Sequence, residues 1–180
     1  MAGSQLPEDE AWERDKENVK LLRGGRPVES LNLALQAPEN NEMCVLLQKQ
    51  RQFELDLRFY DGDDPLSVWD RFIAWTEQMF PQGGKGSKLL ELLERLLQTF
   101  VDDERYRNSQ RFLNHCLKLA SMMKEPLDVY SFLSNRGIGK TLALLYINWA
   151  QEYEARGDMV KADEVYRLGL QHHAQPLELL

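Results

Sequence analysis

The stretch "SNRGIGKTLAL", from Ser134, holds the residue types most suggestive of chemistry in this chain. Gly139-Lys140-Thr141 matches the second half of the phosphate-binding pattern G-x-x-x-x-G-K-[ST], in which glycines let backbone N–H groups wrap phosphates and the lysine reaches the terminal ones. The first glycine of that pattern falls at position 134, where Ser134 stands. A phosphate loop also follows a buried strand, whereas the preceding "LDVYSFL" has the spacing of an amphipathic helix. The competing explanation is structural: glycines end one helix and Thr141 caps the next. Asp61, Asp63 and Asp64 are spaced like the start of a calcium loop but lack the bidentate glutamate it requires. His115, His172 and His173 show no zinc-ligand spacing with the two cysteines, Cys44 and Cys116. Cys116 lies within an apolar helical pattern, the setting of a buried structural thiol rather than a nucleophile. No catalytic, cofactor-binding or metal-ligating residue is assigned, no cofactor is expected, and the chain is expected not to be an enzyme.

Two short segments have the form of recognition peptides. "RLGL", Arg167–Leu170, has the Arg-x-x-Leu form of a destruction motif, yet it sits in a helical pattern in which Leu168 or Leu170 should face the core. Lys16-Glu17-Asn18 lies instead in "AWERDKENVK", a charged segment with no core of its own. Lysine brings a point charge, glutamate accepts charge-assisted bonds, and asparagine both donates and accepts. Trp12, Val19 and Leu22 would be flanking apolar anchors. Two readings fit these residues equally: a peptide exposed for a partner, or solvated residues of a frayed helix with Trp12 packed on the following domain.

The elements that must carry these residues follow from a change in composition near residue 42. Residues 1–41 are polar and rich in turn formers and are expected to form an N-terminal arm with two short helical turns, Gly24-Gly25 stopping the first and Pro27 allowed at the start of the second, a helix-loop-helix when bound. Such turns are marginal without a partner surface. Residues 42–180 are helical in period almost throughout. Leu46, Phe53, Leu57 and Tyr60 share a stripe; Asp64 is expected to cap a helix whose inner face is Leu66, Trp69, Phe72, Ile73, Thr76 and Phe80. "PQGGKGS" reads as a loop, and Leu89, Leu92, Leu93, Leu96 and Phe100 mark the next helix. Ser109 opens another, "EPLDVYSFL" a short one, and Gly157-Asp158 joins the last two as a stop followed by a cap.

Internal repetition organises these helices. "RFIAWTEQM" from Arg71, "RFLNHCLKL" from Arg111 and "LYINWAQEY" from Leu145 each place an aromatic (Phe72, Phe112, Tyr146), a flat ring three residues later (Trp75, His115, Trp149) and then a small residue (Thr76, Cys116, Ala150). "DVYSFL" and "EVYRLG" echo each other in the partner helices. The spacing is near the ~34 residues of the tetratricopeptide repeat (TPR), and Tyr153, Gly157-Asp158, Ala162, Tyr166 and Gly169 fall on its aromatic, turn and small positions. The expected fold is all-α: TPR-like antiparallel helix pairs stacked as a short solenoid, preceded by a partly ordered N-terminal arm; an irregular helical bundle is the alternative. Stacks of this kind present surfaces for peptides.

With 180 residues and 43% hydrophobic content the chain can bury one substantial core. A net charge of −7 argues against nucleic acid as a partner. No apolar run approaches the ~20 residues that span a bilayer, and no signal-peptide pattern opens the chain. Two cysteines without a close partner suit a reduced cytoplasmic or nuclear compartment.

The tripeptide, together with "LRFYDGDDPLSVWDRFIAWTEQMFPQGG" and "EPLDVYSFLSNRGIGKTLALLYINWAQEYEARGDMVKADEVY", resembles the N-terminal KEN-box and TPR region of the Bub-related mitotic spindle-checkpoint proteins (the Bub/Mad family, Mad-like branch). The resemblance runs from Trp12 to Leu180. It implies a pseudosubstrate inhibitor whose KEN box (Lys16, Glu17, Asn18) docks on the WD-repeat coactivator of the anaphase-promoting complex, alongside a Mad HORMA-domain checkpoint protein in the mitotic checkpoint complex. It further implies a TPR domain that binds a short helical motif of a kinetochore scaffold protein, and kinetochore localisation in mitosis. Alternatives are a generic TPR adaptor, or a KEN-bearing substrate of the same ubiquitin ligase.

Overall fold

In the computed structural model, which describes Val28, residues 40–80 and residues 88–180, the helical periods become seven α-helices and a terminal 3-10 turn. They are α1 (Asn40–Phe59), α2 (Leu66–Met79), α3 (Leu89–Phe100), α4 (Gln110–Met122), α5 (Pro126–Arg136), α6 (Ala143–Ala155) and α7 (Met159–Gln171). No strand occurs among the described residues. The KEN tripeptide, its flanking residues Trp12, Val19 and Leu22, and the "PQGGKGS" segment lie outside the described residues. The chain divides into two compact units, Met1–Leu89 and Leu90–Leu180.

In the first unit α1 and α2 meet through aromatic rings. Phe53 stacks on Phe72 with centroids 5.0 Å apart and planes at 9°, and Trp75 tilts against Phe53 at 5.5 Å. Such pairs add about 0.5–1.5 kcal/mol beyond the area they bury. Leu46 and Phe53 are buried as their stripe requires, but Tyr60, expected to extend it, is exposed because α1 ends at Phe59 and the helical period no longer sets its direction. On α2 the buried positions are Leu66, Val68, Trp69, Phe72, Ile73 and Thr76. Asp64 is not the cap of α2: that position is Pro65, which offers no side-chain bond, and Asp64 contributes its carbonyl, which accepts from Ser67 N–H at 3.1 Å and Ser67 Oγ at 2.7 Å.

The second unit is built from successive antiparallel pairs. Tyr106 and Phe112 both meet Phe100 edge-on, at 5.0 and 6.1 Å, and so tie the connection after α3 to α4. Ser109 accepts from Phe112 N–H and caps α4. Gly137 ends α5 in the left-handed region at φ 70°, a conformation that glycine adopts without the Cβ penalty. Tyr130 of α5 stacks on Trp149 of α6 at 6.4 Å. Asp158 accepts from Lys161 N–H and caps α7.

The repeated pattern has a physical basis in burial. Phe72, Phe112 and Tyr146 are each at most 2% exposed, and so are the small Thr76, Cys116 and Ala150 four residues on. The rings between them, Trp75, His115 and Trp149, are half-buried in all three helices.

Two further expectations are corrected. Thr141 does not cap α6; the cap position is Leu142. The orphan Ala143 N–H instead donates to the Gln175 carbonyl at 2.9 Å, while Gln175 N–H donates to the Thr141 carbonyl at 2.8 Å. A segment beyond α7 thus satisfies the helix start that a local side chain was expected to satisfy. In "RLGL", Leu168 is half-buried and Leu170 exposed; the buried residue is Gly169, which lets α7 lie against the Tyr146 ring of α6.

Candidate binding surfaces

The Gly-Lys-Thr loop is a brace within the second unit. Gly137 N–H donates to the Ser134 carbonyl, Ile138 N–H to Leu133, and Gly139 N–H to the Arg107 carbonyl at 2.7 Å. Thr141 N–H donates to Asn108 Oδ1 at 3.3 Å. Four of the loop's N–H groups, those of Gly137, Ile138, Gly139 and Thr141, are thus engaged within the protein. Gly139, at φ 71°, turns its α-carbon toward Leu113, and a Cβ there would lie 3.1 Å from both leucine methyls. The Lys140 carbonyl accepts from the Tyr146 hydroxyl at 2.9 Å, and that hydroxyl also lies 2.6 Å from His172 Nδ1. Burial pushes the Tyr146 hydroxyl up to about 12, while burial and then the Lys140 charge push the His172 imidazole down. Both groups are neutral near pH 7 and serve to pin the loop. Cys116, 1% exposed, is likewise pushed up to about 12 by burial, as an inert structural thiol should be.

The second unit also holds an open groove of about 640 Å³. Its apolar lining comes from Leu97 of α3 and Val101 just beyond it, Leu119 and Met123 at the end of α4, and Val129 and Phe132 of α5. Phe132 is 38% exposed and Met123 37%, so both present apolar surface to the groove. Arg136 also lines it, pairs with Asp102 at 3.2 Å and places its guanidinium carbon 5.6 Å from the Phe132 ring centroid. Glu94 and Asp128 reach the groove from the earlier turns of α3 and α5. Asp128 and Arg136 are about 12 Å apart along α5 at ~1.5 Å per residue. The groove therefore accommodates about two turns of a helix laid along it, presenting residues i, i+4 and i+7 to the apolar lining.

The first unit has a smaller concavity, about 360 Å³, beside Leu55, Phe59 and Tyr60 of the α1 end and Arg71 of α2. Phe59 is 76% exposed there. Among the described residues no group of three or more histidine, cysteine or acidic side chains could hold a metal ion, and no described helix is long and apolar enough to cross a membrane.

The groove residues were not assigned by sequence reasoning. Their signal was present as apolar residues off the inner stripes: Leu97 and Val101 beside the Leu92-Leu93-Leu96-Phe100 stripe, and Phe132 beside Val129, Tyr130 and Leu133.

Comparison with known proteins places these features in a family. Residues 48–170 match the family described as Mad3/BUB1 homology region 1. The chain is 51% identical over 173 residues to the human mitotic checkpoint serine/threonine-protein kinase BUB1 beta, an alignment covering 96% of this chain and 16% of that protein. It is 37% identical over 170 residues to the Arabidopsis thaliana mitotic spindle checkpoint protein BUBR1, covering 94% of this chain and 43% of the relative. The chain thus spans less than half the length of these relatives. Among solved structures, a chain in the crystal structure of a mitotic checkpoint complex superposes with a TM-score of 0.84 at 31% identity, covering 97% of this chain and 82% of that one. A TPR-like helical domain with these repeated buried positions, matched over residues 48–170, belongs to the Mad3/BUB1 homology region 1 family of mitotic checkpoint proteins.

Proposed function

We propose that this chain is a non-catalytic adaptor of the spindle assembly checkpoint with two docking elements. The first is the KEN box, Lys16-Glu17-Asn18, flanked by Trp12, Val19 and Leu22, which occupies the degron site of the WD-repeat coactivator of the anaphase-promoting complex as a pseudosubstrate. A Mad HORMA-domain checkpoint protein joins the same assembly. The second is the apolar groove of α3, α4 and α5, which takes a short amphipathic helix of a kinetochore scaffold protein and brings the chain to kinetochores in mitosis. The domain division that goes with this function is a KEN-bearing arm over 1–41 and a TPR-like domain over 42–180.

The observation that carries the adaptor function is the exposed apolar groove, whose length and lining suit a two-turn helix. Family membership supports the checkpoint setting. The tripeptide's position in the polar arm supports the pseudosubstrate role.

Purified coactivator propeller and a scaffold helix peptide separate the two elements. Lys16→Ala with Asn18→Ala should abolish capture of the coactivator and leave peptide binding unchanged; Phe132→Ala should do the reverse. Equal coactivator capture by the wild-type chain and the arm variant would sink the KEN assignment. A ubiquitylation assay then separates inhibitor from substrate: the inhibitor suppresses modification of a second substrate, whereas a degron only yields modified chain.

A further inference from the structure

The groove carries an uneven charge as well as an apolar lining. At one end the Arg136 guanidinium pairs with Asp102 at 3.2 Å, both side chains largely exposed. Glu94 and Asp128 bring carboxylates to the groove nearer the starts of α3 and α5. Neither has an ion-pair or side-chain hydrogen-bond partner among the described residues, and both stand close to Leu97, Met123 and Val129 in the same lining. A helix laid over that surface withdraws water from the two carboxylates. Without a cation of its own it leaves negative charge partly desolvated and unpaired, which opposes binding. An acidic helix is rejected for the same reason with like-charge repulsion added.

Resting on the docking role proposed for this groove, we infer that it selects a cationic amphipathic helix: a partner segment of about two turns with an apolar i, i+4, i+7 face and a lysine or arginine beside that face, placed against Glu94 and Asp128. The chain's net charge of −7 draws such a segment at long range in the same sense. The apolar lining supplies most of the affinity, and the two carboxylates decide among helices of equal apolar content.

The test uses the whole 180-residue chain and three synthetic stapled helical peptides of about 14 residues, a length that contains the i, i+4, i+7 face. They share one leucine face and differ only at a flanking position, which is Lys, Gln or Glu. Fluorescence anisotropy should give the Lys peptide about 3- to 10-fold tighter binding than the Glu peptide, the range of one rim ion pair gained against one repulsion. The difference should shrink at high ionic strength and disappear in Glu94→Gln with Asp128→Asn, whose fold is checked by thermal unfolding. Equal affinity of the Lys and Glu peptides for the wild-type chain, with Phe132→Ala weakening both, overturns the charge selectivity while leaving the groove as the docking site. Binding by none of the peptides, or binding that Phe132→Ala leaves untouched, overturns the docking role and the selectivity together.

Discussion

Replacing Gly169 by alanine sets helix propensity against packing, and the structure determines which prevails. Inside α7 an alanine is favoured over glycine by about 1 kcal/mol on backbone grounds. Its Cβ, however, would lie 2.9 Å from Tyr146 Cγ, 3.0 Å from Cδ2 and 3.1 Å from Leu180 Cδ1. The tyrosine ring cannot easily retreat: it is 1% exposed, and its hydroxyl is held by the Lys140 carbonyl and His172. Overpacking of a fixed site costs about 1–3 kcal/mol, so the net change is a destabilisation of about 1 kcal/mol, or ~4–8 °C in Tm for a unit of this size. Gly169→Val, with two more carbons and β-branching, should cost clearly more. Gly157→Ala is the control: no atom lies within 4 Å of its Cβ position, so its penalty is backbone strain at φ 79°, about 1 kcal/mol, and Gly157→Asn should recover part of it. Far-ultraviolet circular dichroism melts of the three alanine and valine variants measure these effects. A rise in Tm for Gly169→Ala would refute the close approach of α6 and α7.

Other consequences are direct. Cys116 should resist a thiol reagent at pH 8 in the folded chain while the exposed Cys44 reacts, giving one labelled thiol natively and two in denaturant. Tyr146→Phe removes the hydroxyl bonds to Lys140 and His172 and should cost about 1–2 kcal/mol, measured by urea unfolding. The Asp158 carboxyl is held below its usual range, first by the Lys161 backbone N–H and then by the Lys161 side chain. Its contribution to stability is therefore present above the unfolded carboxyl range near pH ~4 and is lost as pH falls through the lower folded value. Asp158→Ala should lower Tm at pH 7 and converge on the wild type in acid. Phe132→Ala should weaken scaffold-helix binding about tenfold or more, as loss of a central aromatic anchor does, and should lower Tm by less than truncation of a fully buried phenylalanine would, because the ring is 38% exposed.

The helices themselves were legible because their information is local. A period of 3.6 in the apolar residues, Ser109 and Asp158 at N-caps, and Gly137 and Gly157 past C-termini each act within a few residues, and each is found where its type and spacing place it. The repeat was legible for the same reason: the alternation of buried aromatic, half-buried ring and buried small residue is written three times. The KEN tripeptide is legible as a word, but its meaning lies in a partner. The errors at Asp64 and Tyr60 are local, at the start of α2 and the end of α1; the others fall where a distant segment takes over a local task. Gln175 satisfies the start of α6 in place of Thr141, and Tyr146 makes Gly169 rather than Leu168 or Leu170 the packed residue of "RLGL". The groove belongs to the same class. Leu97, Met123 and Phe132 look like ordinary outward residues on three separate helices, and only the stacking of α3, α4 and α5 brings them into one surface. Sequence alone determined which stretches are helical and which faces turn inward, since those depend on neighbours along the chain. Tertiary structure alone decided which outward residues converge into a docking surface, since that depends on contacts between residues far apart in the chain.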